Sequence, residues 1–581
     1  MTCIQGHFMK SSYHLLLTLS LGVLCSCDVV PHSVDSSSAK AGELSSQTSI
    51  SEIEKSDEGE SSSESLSEAG EILTIDSRNE TIAATYTGEI TGAKVTSSFG
   101  SKDVPSSYYG NGKLFMPGLK AGTYQLTLNY GGTEVSKKDI AVTAIDRSGY
   151  AHFGNTEGVG AYTNDGELKN GAVVVYVSDA TKNNVSAKIG KNTYTGLVNI
   201  LNHTKDSTVP VVVRFLDTIK ANQFAVKAVS DGKTPYGSGT DYFSNVKETT
   251  YEELDGLTNI IWAPEGTDGK GVYSVRTVTS SAKTDSYFNM CDVTGVSNLT
   301  VEGIGENAGL LNWGFTFKRC ASIEVKNLTF TDYAEDACSF EGGAGEYASN
   351  GKSVKTAFGE GYANYFLHHC TFNRGKNNWD LSEEQDKHDG DGSADLKKLS
   401  NVTFAYNHFY NCHKTGLLGG SDTQMTRNIT FHHNYYEKVQ SRLPLGRQAN
   451  LHVYNNYYKN CTTCVDMRAN SYTLSEANYF EGCQYPHKVT KSSAFSNTAI
   501  KSFGDVFDNC KNSTKATIVS GRTDVVKNSC KPDGVHDYSS FDTSADLFYY
   551  DASAKKTKAS ILESAKNAKT TDLAEAGAFA Y

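Results

Sequence analysis

The chain has 581 residues, 38% of them hydrophobic and 10% aromatic, with a formal net charge of −12. That is ample apolar material for a packed core and excludes a wholly disordered protein. Ten acids against two lysines between Ser33 and Glu71 hold −8 of the charge, so the bulk of the chain is nearly neutral and the overall charge does not count against an anionic partner; nucleic acid is not an expected partner.

The first 27 residues are expected to be an export signal. Lys10 precedes an apolar run from Leu15 to Leu24 that is too short to span a bilayer. The run ends in Leu24-Cys25-Ser26-Cys27, which resembles a bacterial lipoprotein cleavage box with Cys27 as the lipidated residue; an ordinary secretory peptide cut nearby is the alternative. Residues 28–70 are rich in serine and acids and almost free of large apolar side chains, so they cannot bury enough surface to fold. They read as a flexible tether on an exported, monomeric protein, either a cell-surface lipoprotein or a secreted one.

Residues 71–146 alternate in short runs, such as Thr123-Tyr-Gln-Leu-Thr-Leu-Asn-Tyr130, between Gly- and Ser-rich turns. This predicts a small β-sandwich that either binds carbohydrate or acts as a spacer. Residues 147–581 change texture. Val402-Thr-Phe-Ala-Tyr-Asn407-His-Phe-Tyr410, Ile429-Thr-Phe-His-His-Asn434-Tyr-Tyr436, Leu451-His-Val-Tyr-Asn-Asn456-Tyr-Tyr458 and Thr473-Leu-Ser-Glu-Ala-Asn478-Tyr-Phe480 align on one asparagine column. Strands recurring at that interval predict a parallel β-helix, because the β-branched and aromatic content disfavours helical repeats. The asparagines are expected to stack as an internal amide ladder. Helical segments are expected near Gly196 to Lys205 and from Ala559 to Ala576. Of 13 cysteines, ten lie between Cys291 and Cys530. With only Cys461 and Cys464 in a CxxC spacing, buried thiols or a few disulfides are expected rather than zinc.

The chemistry concentrates between residues 330 and 470. His388-Asp-Gly-Asp391-Gly-Ser-Ala-Asp395-Leu-Lys397 crowds carboxylates with glycines, as a hard cation site requires, although acid-glycine runs also make plain turns. Stacking of coils would bring Asp336 beside Asp391 and Asp395. Lys414, Arg442, Arg447 and Arg468 follow at intervals of a coil or part of one, either lining one groove or standing as solvated surface charge.

These residues also carry a family resemblance. Asp391-x-x-x-Asp395-x-Lys397, His413-Lys414, Asn428-Ile-Thr-Phe-His-His-Asn434, Arg442-x-Pro444-x-x-Arg447 and His452-x-Tyr-Asn-Asn456 closely resemble pectate lyases of polysaccharide lyase family 1, from about Val296 to Cys483. The resemblance implies a right-handed parallel β-helix that binds Ca²⁺ and cleaves polygalacturonate by β-elimination. It makes Asp336, Asp391 and Asp395 the calcium ligands and Arg442 the catalytic base. Lys397, Lys414, Arg447 and Arg468 would bind substrate carboxylates. The chain departs from the family at Phe366-Leu-His368-His369, where Trp-Ile-Asp-His is frequent, and at Ala334, where a second acid is often found. A guanidinium is ordinarily a permanent cation, so the base assignment is held on the resemblance. A metal-independent pectin lyase is the nearest alternative, and a noncatalytic polysaccharide-binding β-helix is the alternative from another class. The retained acids argue against the first and the retained cations against the second.

Overall fold

The computed structural model describes residues 70–152, 155–220, 291–311, 313–333, 336–342, 363–373, 392–422, 424, 426–469, 471–490, 498–518 and 562–579, together with the backbone of five short strands between 224 and 290. The signal segment with Cys27, the tether and Asp391 lie outside the described residues.

From Val173 to Ile518 the chain winds repeatedly through three sheets. The coil around the asparagine column is representative: Ser400–Ala405 lies in the first sheet, His408–Tyr410 in the second and Leu417–Leu418 in the third, and Thr426–His432 returns to the first. Strand order follows chain order in all three sheets, and apart from the antiparallel Ser274–Val275 at the edge of the third sheet successive strands pair in parallel, with equivalent residues side by side: Val402 lies beside Ile429, and Ile429 beside Leu451. The fold is therefore a parallel β-helix, with each coil about 4.8 Å above the last.

Equivalent side chains stack because the coils keep register. The Asn434 side-chain oxygen accepts from the backbone amide and the side chain of Asn407 at 3.1 and 3.0 Å. Asn456 does the same for Asn434, and Asn478 for Asn456. Two residues along, Phe330, Phe372, Phe409, Tyr436, Tyr458, Phe480 and Phe507 form a continuous column of near-parallel rings with centroids 4.6–5.4 Å apart. Described cysteines are free thiols, and all but Cys510 are buried.

Two antiparallel four-stranded sheets lie ahead of the solenoid, one from Ile72–Asp76, Thr81–Tyr86, Lys113–Pro117 and Tyr109–Gly110, the other from Gly100–Asp103, Gly92–Ser97, Gly122–Tyr130 and Thr133–Val142. Strand Gly122–Tyr130 alternates buried and half-buried residues as its sequence predicts. These sheets are mounted on the solenoid: Ile304 is part of their hydrophobic core, and Leu216 and Phe579 pack against it. The Arg147 guanidinium grips the Glu80 carboxylate at the joint, with Nη2 2.7 Å from Oε2 and both side chains buried.

A strap runs from this joint along the outside of the first sheet. The Ser148 hydroxyl meets the Tyr454 hydroxyl, Tyr150 N donates to Thr430, Ala151 N to Thr403 and Ala161 N to Thr300. Gly149 has φ +94°, and a Cβ there would lie 2.7 Å from Thr403 Oγ1, so the close crossing needs glycine. A helix at Ala565–Glu575, capped by Ser564, lies on the outside of the second sheet. The chain after it runs back to Phe579, whose ring stacks on His369 and contacts Phe115.

Candidate active site

The third sheet carries the residues singled out by the sequence. Lys397 pairs with Glu341 on the preceding coil, and Arg447 with Arg468 on the following one. Between those coils Leu396 pairs with Leu418 and Leu418 with Gly446, which carries the same register through Gly419. One column therefore holds Glu341, Lys397, Gly419, Arg447 and Arg468. Beside it, isolated parallel bridges link Gly392 to Lys414 and Lys414 to Ser441, next to Arg442. The folding of successive coils in register is what turns cations scattered over 72 residues of sequence into one strip.

Asp336 and Asp395 are both buried. Their Oδ1 atoms converge on the space above Gly392: a Cβ at that position would lie 2.6 Å from Asp336 Oδ1 and 3.0 Å from Asp395 Oδ1. Ser339 donates to Asp336 Oδ2 at 2.7 Å, and Leu417 N donates to Asp395 Oδ1 at 3.1 Å. Two buried carboxylates aimed at one small space are the donor chemistry of a hard divalent cation. Lys397 stands on their far side, 3.9 Å from Asp336 Oδ2, 3.5 Å from Asp395 Oδ2 and 3.1 Å from Glu341 Oε1. Its ammonium is thus shared among three acids, which the sequence reading did not anticipate for a group expected to meet substrate.

Arg442 is half-buried and has φ +65°, in the left-handed region. Its carbonyl accepts from Gly416 N at 2.7 Å and from Thr415 Oγ1 at 2.5 Å, so the backbone is fixed from the neighbouring coil. Arg447 Nε lies 3.0 Å from Asp422, and an Arg447 guanidinium nitrogen donates to the Gly419 carbonyl. Burial lowers the Arg447 pKa, and so does the charge of Arg468; Asp422 acts in the opposite sense and Arg442 adds a further lowering. Arg447 therefore feels the charge of both other arginines. Arg468 is braced by Asp466, 2.7 Å away.

The structure thus brings Asp336, Asp395 and Lys397 together and sets Lys414, Arg442, Arg447 and Arg468 along the same face. Asp391 is outside the described residues. Glu341, Asp422 and Asp466 are partners that sequence reasoning missed. The Asp466-x-Arg468 spacing repeats Asp395-x-Lys397, and that recurrence is the one signal from which such a partner is readable.

A pectate lyase family model matches residues 260–551. Over 180 residues the chain is 32% identical to pectate lyase C of Dickeya chrysanthemi, covering 31% of this chain and 44% of that protein. It is 26% identical over 349 residues to the pectate lyase of Bacillus subtilis, covering 57% of this chain and 73% of the other. The chain thus spans less than half the length of the Dickeya relative. Among solved structures, a pectate lyase from Bacillus sp. N165 in complex with trigalacturonate aligns with a TM-score of 0.42 and 19% identity, covering 74% of this chain and 98% of that one.

Proposed function

This chain belongs to the pectate lyase family, and from that premise we propose that it is a calcium-dependent lyase that cleaves α-1,4-linked polygalacturonate by β-elimination. One observation carries the reading: Asp336 and Asp395 converge above Gly392 on the same face as the in-register Arg447 and Arg468. The proposed reaction uses both features, an acid site for a metal and a row of cations for the substrate's carboxylates.

The chemical obstacle is removal of a proton from C5, next to a carboxylate that is already negative. Calcium, held by Asp336, Asp395 and Asp391, would supply a Lewis acid at that carboxylate. Arg442, acting in its neutral form, takes the C5 proton and releases it to solvent after the bond is broken. The C5–H electron pair becomes the C4–C5 double bond, the C4–O bond breaks, and the departing oxygen is protonated by solvent. Arg447 and Lys414 bring fixed positive charge to the carboxylate where the enolate develops, and such charge lowers the barrier most when it is held in place before reaction. Asp422 and Asp466 keep Arg447 and Arg468 in place, and Arg468 holds a carboxylate farther along the chain, while Lys397, expected from the resemblance to bind substrate, is engaged by Asp336, Asp395 and Glu341 and balances the charge of the acid site.

The test is a time course on polygalacturonate followed by the ultraviolet absorbance of the unsaturated product, with added calcium and with excess chelator. Absorbance that rises only with calcium supports the reading. Full activity in chelator would move the protein to the metal-independent pectin lyases, and no product at all would leave a noncatalytic polysaccharide binder.

The apolar run before Cys27 supports a second element of the reading, export with lipidation at that cysteine. Labelled fatty acid should enter the wild type and be absent from Cys27→Ala; equal absence from both would leave plain secretion.

A further inference from the structure

Away from the groove, a second group of metal-type ligands gathers where the strap leaves the sandwich. Asp146 approaches His432 and His433 at the end of the strand Thr426–His432, and their donor atoms all lie within 4.8 Å of one another. His432 Nδ1 is 3.0 Å from His433 Nδ1 and 3.8 Å from Asp146 Oδ2. We propose that Asp146, His432 and His433 form a structural site for a divalent transition ion of the Zn²⁺ type, fastening the strap to the β-helix.

The spacing suits such an ion. Bonds of about 2.0–2.2 Å in tetrahedral geometry put neighbouring ligand atoms about 3.3 Å apart, which falls between the two distances above. Two imidazoles and one carboxylate are the donors of a borderline ion rather than of calcium, which takes six or more oxygens. Both rings are buried, and burial favours the neutral imidazole that a metal ion binds. Asp146 is 22% exposed while the His432 ring is fully buried, which leaves a way in for the ion and a position for a solvent molecule as the fourth ligand.

An almost identical pair elsewhere on the same sheet shows what the alternative looks like. His368 Nδ1 and His369 Nδ1 are 2.8 Å apart. There the outer nitrogens complete a chain of hydrogen bonds: Glu324 fixes the proton on His368 Nε2, His369 donates through Nδ1, and Asn79 donates to His369 Nε2. Both outer nitrogens of that pair thus have hydrogen-bond partners. At His432 and His433 neither Nε2 has a hydrogen-bond partner, although both are buried. The Ser148 backbone is the group from outside that faces His432, and a carboxylate joins the two inner nitrogens. Asp146 accepts from Tyr406 OH at 3.3 Å and from Ser148 N at 2.9 Å, which aim its carboxylate, and its remaining electron pairs converge with those of the two rings on one space that a divalent cation fits.

The experiment uses the full chain stripped of transition metals, with calcium present throughout to occupy the oxygen site. Titration with Co²⁺ should give intense visible bands of a four-coordinate nitrogen-oxygen site, saturating at one equivalent and displaced by Zn²⁺. Asp146→Asn and His433→Gln should each weaken Zn²⁺ binding at least tenfold, and Zn²⁺ should raise the Tm of the wild type but of neither variant. His369→Gln, in the satisfied pair, should bind Zn²⁺ like the wild type. Absence of the four-coordinate bands in the wild type at one equivalent of Co²⁺ overturns the proposal, and this reading needs no variant to fold. Stoichiometric binding unchanged in both site variants overturns it equally.

Discussion

Arg447 and Arg468 lie opposite each other on adjacent coils of the third sheet, each held by its own carboxylate, Asp422 at 3.0 Å and Asp466 at 2.7 Å. Two guanidinium groups one strand spacing apart are costly to place together unless an anion shares them, and a polygalacturonate carboxylate is such an anion. Arg468→Met should therefore raise KM about tenfold while leaving kcat within about twofold, because it removes binding shared by ground state and transition state. The deficit should shrink at high salt, where screening weakens the wild type's attraction as well. Steady-state kinetics at two ionic strengths decide this; a fall in kcat with unchanged KM would place Arg468 at the reacting centre instead.

Gly392 is the narrowest point of the acid site. The methyl group of Gly392→Ala would sit 2.6 Å from one carboxylate oxygen and 3.0 Å from the other, so both buried side chains must swing aside and cease to converge. The expected outcome is a calcium requirement raised at least tenfold, with near-normal kcat once calcium is saturating. Calcium titration of initial rates measures it, and an unchanged half-saturation point would show that the metal lies elsewhere.

Much of this was legible from spacing alone. The asparagine column repeats with its intervening aromatics, and a strand recurring at that interval leaves few folds available. Asp505 marks where legibility stopped. It continues the ladder by accepting from Asn478 N and Asn478 Nδ2, but an acid in place of the amide hides the repeat. Cys370 hides it at the other end, because its amide donates to Asn407 while its side chain has no amide to pass on. Register across coils was likewise unreadable where insertions intervene: Glu341 and Lys397 are 56 residues apart in sequence and neighbours in the sheet. Asp146, His432 and His433 were invisible for the same reason, since they are joined only once the strap folds across the first sheet.

The joint between the sandwich and the β-helix supplies a stability test. Glu80 and Arg147 are buried together, and Glu80→Gln would leave the buried guanidinium without this counter-charge. A loss of about 3–5 kcal/mol is expected, whereas replacing both partners with apolar residues of similar size should cost much less. Denaturant unfolding of the single and double variants measures the difference. Equal losses in the two would mean that packing, rather than the stranded charge, holds the sandwich in place.

Asp505 gives a pH dependence with a definite sign. Burial raises its pKa from 3.8 to about 6, against the hydrogen bonds donated by Ser475, Ser502 and Asn478. A carboxyl with a higher pKa folded than unfolded binds its proton more tightly in the folded state. Its contribution is therefore complete below pH 3.8 and is lost as pH rises through about 6. Asp505→Asn keeps an acceptor for Asn478 and cannot ionise. The Tm of the wild type should fall relative to this variant between pH 4 and 7, by an amount corresponding to at most about 3 kcal/mol. Parallel Tm curves across that range would mean that solvent reaches the carboxyl.

Arg442 tests the chemistry itself. Its carbonyl is pinned by Gly416 N and Thr415 Oγ1 and its backbone is held at φ +65°, so a side-chain replacement should leave the chain path unchanged. Arg442→Lys keeps a basic nitrogen beside Arg447, and because Arg447 and Arg468 are untouched much of the substrate attraction should survive. The ammonium, however, sits on a stem of different reach and cannot present a planar nitrogen to the C5 hydrogen. If Arg442 takes that proton, kcat should fall by three orders of magnitude or more, roughly the contribution of a positioned general base, with KM changed only a few fold. If Arg442 merely clamps a carboxylate, the same variant should raise KM and spare kcat, because a lysine still attracts an anion. A C5-deuterated substrate adds an independent reading. The wild type should show a primary isotope effect if proton removal limits turnover, and the slow variant should show one at least as large. An Arg442→Lys enzyme with near wild-type kcat, or a slow variant with no isotope effect, would remove Arg442 from the proton transfer and leave it as one more cation in the strip.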